Sequence, residues 1–598
     1  MQMRALIVAA CLTGLGGIAT SIGATIYVAP GGSDANNGSD WELAKATIAG
    51  GVAAAGAGGT VIVSNGVYYP TTAISLAAAG MTVQGYSGNA ADVIVDGSNT
   101  VRCFGISAAD CTVRDLTMTH GKDMGDNHGG GLAVFAGGAG AIARNCRFVA
   151  NTNGNVGAGR FDVLGTLDSC VVISNKGNLS AGFYCNSSAI FTNCAFSWNV
   201  GGGSSIYGAQ GRQTVHGCTF SSNSATSSGG AIYSATTATV VDCTFVANSS
   251  VAGGAVFGTM GAHVTGCTFR NNSASTSGGG AIRLNGGPST ITRSGFTNNS
   301  VGSSHGGAIY LNAGNYTVAI DECSFSGNAS ATASSGGAVY SGASVALTKC
   351  RIVGNEAGSG GGAFFTGGHF SSMVDCTIIS NRAGPPPSTT GNGAGIFVGT
   401  SATVMVERVT LGYNVSSYRG GGAYVSGGRL LLRSCLLAGN ANTSITSYGG
   451  AGYIASGSMF IESSTIARNT NSTAGGTGGF YTAGGATALT NSIVYFNAPL
   501  DYAGAGPRTW AYSCAPGIAG AGTITDDPLF VNLGNGCGTN LVNANFNLTA
   551  LSPCKNHGID LAWMASALDL DNKPRLSDKV DMGAYELYLL PGTVFLML

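Results

Sequence analysis

Charge is what this sequence has least of. Only 9% of its 598 residues are Asp, Glu, Lys or Arg, against roughly 25% in an ordinary soluble domain. With 99 glycines in the same chain, that shortage excludes helical bundles and coiled coils, which are built on Lys, Glu, Arg and Leu. The basic footprint of a nucleic-acid binder is missing as well, because 26 Lys+Arg stand against 27 Asp+Glu and leave nothing to neutralise phosphates. Proline is scarce, at 13 residues, and glycine follows no three-residue period, which excludes collagen. No Cys-x-x-Cys pair and no His-Glu-x-x-His run occurs, so zinc ribbons, thioredoxin-like motifs and that class of zinc protease are excluded. Past the first two dozen residues no apolar run reaches the 18 or so needed to span a bilayer. Disorder is excluded in turn by a hydrophobic content of 44%. The classes left are built of short strands and many tight corners.

What the sequence does contain is a repeat. The phrase Cys-x-Phe-x-x-Asn, with Val172 in place of Phe in the second copy, occurs at Cys146–Asn151, Cys170–Asn175, Cys194–Asn199, Cys218–Asn223, Cys243–Asn248 and Cys267–Asn272. Looser copies end at Asn299, Asn328, Asn355, Asn381, Asn414, Asn440, Asn469 and Asn497. Successive asparagines are 24, 24, 24, 25, 24, 27, 29, 27, 26, 33, 26, 29 and 28 residues apart. Between them runs a second phrase, as in Gly229-Gly230-Ala231-Ile232-Tyr233 and Gly306-Gly307-Ala308-Ile309-Tyr310. Each unit thus holds short β-type runs separated by Gly, Ser, Thr and Asn.

A period near 25 is too short for a four-stranded propeller blade, and the leucine spacing of a leucine-rich repeat is absent. Coiling each unit once about an axis and stacking the turns pairs every strand with its copy in the next turn. The predicted fold is therefore all-β: a single-stranded right-handed parallel β-helix, with a short N-terminal capping helix and an irregular C-terminal cap. Cys and Phe, two apart, fall on one strand face and point inward. The Asn falls at the corner, where it can bond adjacent turns and adopt a left-handed conformation. The expected structural ladder is Cys146, Cys170, Cys194, Cys218, Cys243 and Cys267 with Asn151, Asn175, Asn199, Asn223, Asn248 and Asn272.

Met1 to Ala24 combines one early positive charge, an apolar core and small residues, and is expected to be a secretory signal peptide. The remaining boundaries are 25–128 for the N-terminal cap and first turns, 129–497 for the repeats, 498–586 for the final turns and cap, and 587–598 for an apolar tail. Ser39 with Glu42 fits a capping box, predicting a helix over Leu43 to Ala55. Export makes disulfides the first thought for 17 cysteines. In-register parallel neighbours sit about 4.8 Å apart, beyond the roughly 3.5–4.5 Å between Cβ atoms that a disulfide prefers. Ladder cysteines are therefore expected as free, buried thiols. Cys103 with Cys111, and a pair among Cys514, Cys537 and Cys554, lie outside the ladder and stay open for a bridge.

Catalytic residue types are thinly supplied. One loop concentrates them: His120, Lys122, Asp123, Asp126 and His128. It could serve an acid–base pair or bind calcium with a uronate, or be a solvated corner. Asp569 and Asp571 are the candidates for a metal, against a structural role in which Arg575 pairs with acids. No cofactor is expected otherwise. Calcium enters only with polysaccharide cleavage.

The alternation of Gly-Gly-Ala-Ile with Phe-x-x-Asn over about residues 129–497 resembles the polymorphic outer membrane protein repeats. The opening Ile26-Tyr27-Val28-Ala29-Pro30 and the closing Val580-Asp581-Met582-Gly583-Ala584-Tyr585-Glu586 are similar to the ends of many secreted bacterial right-handed β-helix proteins. The resemblance implies secretion or display at the bacterial surface or outer membrane, with surface proteins or polysaccharides as partners. Members of the repeat family are carried by a C-terminal outer-membrane barrel; twelve residues follow Glu586 here, and no barrel is inferred. Three functions fit: a non-enzymatic, adhesin-like or glycan-binding rod, a lyase or hydrolase of acidic polysaccharide, or a purely structural envelope protein.

Overall fold

The computed structural model describes residues 23–588, apart from 123–127, 153, 332, 366–368, 386–389, 446–447 and 577–578. The expected leader up to residue 22, Asp123, Asp126 and the tail from 589 lie outside the described residues. The fold is a right-handed parallel β-solenoid.

One turn shows how the sequence makes it. Ile232–Ser234, Ala238–Val241, Thr244–Val246 and Ser249–Ser250 are its four strands. Each pairs in parallel with its counterparts in neighbouring turns, so the rod has four faces, called here sheets I to IV in that order. Sheets I and III each hold 17 strands and sheet II holds 19; at about 4.8 Å per turn the rod is roughly 85 Å long. Its interior is filled by like on like: the rings of Phe220, Phe245, Phe269 and Phe296 stack nearly parallel, 4.9, 4.6 and 4.8 Å apart.

Cys243 and Phe245 are both buried, as the alternation requires. The corner differs in one respect from the expectation. The left-handed residue is not the Asn but the one before it, such as Ala247 at φ 54° or Trp198 at φ 55°. A second left-handed residue precedes Cys, such as Asp242 at φ 52°. The Asn is instead fully buried and bonds along the rod. Nδ2 of Asn248 donates to Phe220 O and to Asn272 Oδ1, both at 3.0 Å, and the Asn248 backbone N–H also donates to Asn272 Oδ1 at 3.0 Å. An amide with one strong acceptor and two donors suits this; the strained corner needs no particular side chain, so no residue type marks it. The glycine pairs have two separate reasons. Gly229 sits at φ +66°, and a Cβ on Gly230 would lie 2.4 Å from the carbonyl oxygen of Gly254 in the next turn.

The N-terminal helix runs Ile48–Ala55, not from Leu43. Lys45 is held extended against the first strand, its N–H donating to Tyr27 O at 2.9 Å and its carbonyl accepting from Ala29 N at 3.0 Å. The helix starts only beyond that pairing, with Thr47 Oγ1 accepting from Gly50 N at 3.0 Å. Ser39–Glu42 forms a turn in which Asp40 Oδ1 accepts from Leu43 N at 2.9 Å.

After the last strands of the rod, Leu500–Ala503 and Arg508–Ala511, the chain folds back along its side. Phe530, Leu541, Phe546, Leu548 and Met582 pack on Ala438, Ala467 and Ile493 in the final turns of sheet III. The sixteen described cysteines are all free thiols. The bridges left open at Cys103, Cys111, Cys514, Cys537 and Cys554 are therefore not formed.

Candidate functional site

Sheet I carries the surface that sequence reasoning missed. In Ile232–Ser234, Ile232 and Ser234 are buried and Tyr233 is directed outward between them. The register repeats this placement turn after turn. Arg160, Tyr184, Tyr207, Tyr233, Phe257 and Arg283 are successive partners. Tyr310, Tyr340, Phe364, Phe397, Tyr424, Tyr453 and Tyr481 continue the row. Thirteen consecutive turns thus carry an aromatic residue or an arginine at this register position. The signal was in the sequence, as the fifth residue of Gly-Gly-Ala-Ile-Tyr. Alternation sends that residue out.

The rings lie across the rod axis and stack on one another. Centroids are 5.3 Å apart for Tyr184–Tyr207, 4.4 Å for Tyr207–Tyr233, 4.9 Å for Tyr310–Tyr340 and 5.5 Å for Tyr453–Tyr481. Most members are half-buried, with ring edges at the surface. Burial raises the phenol pKa of Tyr310 and Tyr453, and pushes that of Tyr207 up to about 12 with help from its tyrosine neighbours. The hydroxyls therefore remain neutral donors and acceptors at physiological pH. The arginines join the stack: the guanidinium carbon of Arg283 lies 4.8 Å from the Tyr310 centroid and that of Arg160 5.1 Å from Tyr184. Arg419, in the turn leading to Tyr424, sits 4.3, 4.9 and 5.0 Å from the rings of Tyr418, Tyr448 and Tyr453.

The structure divides the histidine loop between two carboxylates. Nδ1 of His120 lies 3.1 Å from Asp96 Oδ2. Nε2 of His128 lies 2.8 Å from Asp162 Oδ2, whose other oxygen accepts from Arg160 Nε at 2.7 Å. His128 is thereby joined to the first residue of the row, whereas His120 is bonded to Asp96. Lys122 is exposed, with its backbone N–H donating to Val101 O at 2.9 Å. Asp123 and Asp126 are outside the described residues. A His–Asp pair with an adjacent arginine can hold or move a proton.

At the far end, Asp569 is buried and its oxygens are occupied by backbone. Oδ1 accepts from Asp571 N at 2.9 Å and Lys573 N at 2.7 Å, and Oδ2 accepts from Glu586 N at 2.8 Å. Asp571 Oδ2 lies 3.7 Å from Lys573 Nζ. Among the described residues no group of three or more His, Cys, Asp or Glu is placed to hold a metal ion. No described helix is long and apolar enough to cross a membrane.

No curated protein matches the chain. Three solved structures are similar at 12% identity. One is an alginate lyase in complex with G6, at TM-score 0.29 over 63% of this chain and 80% of that one. The others are the pectate lyase Pel9A, at 0.21 over 95% and 97%, and a rhamnogalacturonan lyase, at 0.16 over 88% and 97%. The family model of the right-handed β-helix region matches residues 135–292 and 246–411, the stretch where the Asn ladder is most regular.

Proposed function

We propose that this chain is an exported β-helix rod that binds polysaccharide, without cleaving it, along the row of sheet I. The row itself carries the reading. Half-buried phenols offer an apolar body for sugar C–H groups and a neutral hydroxyl for sugar hydroxyls. Thirteen turns at about 4.8 Å give roughly 60 Å of such surface in one line, which suits an extended chain and not a compact ligand. Solenoid faces commonly serve as long binding surfaces. Export through residues 1–24 and display at a bacterial surface, as the resemblance to polymorphic outer membrane protein repeats implies, fit an adhesin-like role. Calcium has no part in this reading.

The test is affinity electrophoresis of the exported chain through gels cast with plant, algal and bacterial polysaccharides, with and without calcium. The expected result is retardation without clearing, reduced at least tenfold in affinity by Tyr310→Ala with Tyr340→Ala. Cleared gel would replace binding by cleavage, the second reading. The pair His128–Asp162 favours it, and clearing would then be abolished by Asp162→Asn. A wild-type rod retarded by no polysaccharide would leave a structural envelope role.

A further inference from the structure

The row has a sign. Between residues 163 and 500 the sequence holds eight acidic residues. Asp168, Asp321, Glu407 and Glu462 each end a strand of sheet II. Asp242, Glu322 and Asp375 occupy the left-handed corner that follows, and Glu356 lies in sheet IV. Within that span sheet I and the turns on either side of it contain none; Asp162 and Asp501 stand at its two ends.

Cations are placed there instead, Arg212 in the turn after Ile206–Gly208 among them. Arg160 and Arg283 are five turns apart in the row, and Arg419 enters beside Tyr424 after five more, so the spacing is about 24 Å in each case. Arg160 is neutralised by Asp162. Arg283 and Arg419 have no carboxylate within 4 Å among the described residues. Arg283 Nε donates to Asn285 Oδ1 at 2.9 Å and its Nη1 to Ser277 O, and Arg419 Nη2 donates to Tyr418 Oη at 3.0 Å. Both are held by neutral oxygens and aromatic rings, so their charge is positioned but not cancelled. Stacked arginine is weakly hydrated and keeps a planar fork of N–H donors for an oxyanion.

We infer that the polysaccharide taken by sheet I is anionic, with carboxylate or sulfate groups paired to Arg283 and Arg419. This rests on the glycan-binding reading above and names its ligand class. The experiment runs the full exported chain through gels cast with alginate, polygalacturonate, dextran sulfate, neutral dextran or polyglutamate. Alginate, polygalacturonate or dextran sulfate should retard the wild type, and added salt should weaken the retardation through screening. Uronate gels against dextran sulfate tell carboxylate from sulfate. Arg283→Gln with Arg419→Gln should lower affinity at least tenfold, whereas the Arg→Lys pair, which keeps the charge and loses the planar fork, should fall between the Gln pair and the wild type.

Three results overturn the inference while leaving glycan binding standing: dextran retarding as strongly as the charged glycans, salt-independent retardation, or an undiminished Gln pair. Equal retardation by polyglutamate would show that charge alone is recognised and sink it too. Retardation by none of the gels would defeat the glycan reading itself. The salt dependence of the wild type decides the matter even if the Gln pair fails to fold.

Discussion

Asn497 gives both its backbone N–H and its Nδ2 hydrogen to a single oxygen, Oδ1 of Asp501, at 2.8 Å each. Every earlier member of the ladder does the same to the next asparagine; Asn469 donates to Asn497 Oδ1 at 3.0 Å and 2.8 Å. Asp501 ends the series because a carboxylate accepts the two donors and passes none on. Asp501→Ala would strand two buried donors and should cost about 1–3 kcal/mol; Asp501→Asn should keep the acceptor and most of the stability. Burial raises the Asp501 pKa, while the bonds from Asn497 pull it down by less. A folded pKa above the unfolded one contributes stability in full below the ordinary carboxylate range and loses it as pH rises through the folded value. Melting curves between about pH 4 and 7 should therefore show a wild-type decline with pH that Asp501→Asn lacks.

Phe269 tests the interior against the outer row. It is fully buried, stacked between Phe245 and Phe296 at 4.6 and 4.8 Å. Phe269→Ala should cost about 3–5 kcal/mol, because neighbours locked in adjacent turns cannot collapse into the space. Tyr310→Ala, on the outer row, should cost much less while reducing glycan retardation. Solenoids unfold through nearest-neighbour coupling, so the check is amide exchange turn by turn. The loss at Phe269 should be concentrated in the turns containing Cys243 and Ser294.

The cysteine ladder makes a chemical prediction. Burial pushes the thiol pKa of Cys323 and Cys435 up to about 12, whereas hydrogen bonds with neighbouring ladder thiols hold Cys243 and Cys350 below the usual thiol value; all four are buried, so it is lack of access that protects the ladder. Alkylation of the native rod without reductant should leave the ladder unlabelled. Unfolding in guanidinium, still without reductant, should expose all of it. Labelling that requires a reductant even after unfolding would mean disulfides.

Repetition explains what the sequence disclosed. Phe245 stacks on Phe220 and Phe269 because identical positions meet in successive turns, so one phrase counted along the chain gives core, period and sheet pairing together. What recurs in space without recurring in residue type stayed hidden. The left-handed corner is filled by Ala247, Trp198 or Arg468 alike, since it needs a conformation and no contact. The helix start moved from Leu43 to Ile48 because Lys45 is claimed by Tyr27 and Ala29 of the first strand, a tertiary competition that capping patterns do not encode. The outer row was present in Tyr233 and Tyr310, but only the alternation within Ile232–Ser234 separates a core aromatic from a surface one.

The C-terminal cap had no period to follow, and its hold on the rod is concentrated at one residue. Arg575 is fully buried. Its guanidinium donates to Glu586, to the carbonyls of Gly583 and Ser463, and to Ser434 Oγ at 3.2 Å. One side chain thus ties the end of the chain to corners 112 and 141 residues earlier. Truncating one partner of a buried pair leaves the other charge uncompensated, and Arg575→Ala should cost about 3–5 kcal/mol. The loss should be local, because the rod's own Asn and Phe ladders do not pass through the cap. Limited proteolysis of Arg575→Ala should therefore remove the segment after Ala515 and leave a rod that still unfolds at the wild-type temperature. Loss of the whole rod would instead mean that its last turns depend on their covering of Phe530, Leu541 and Met582.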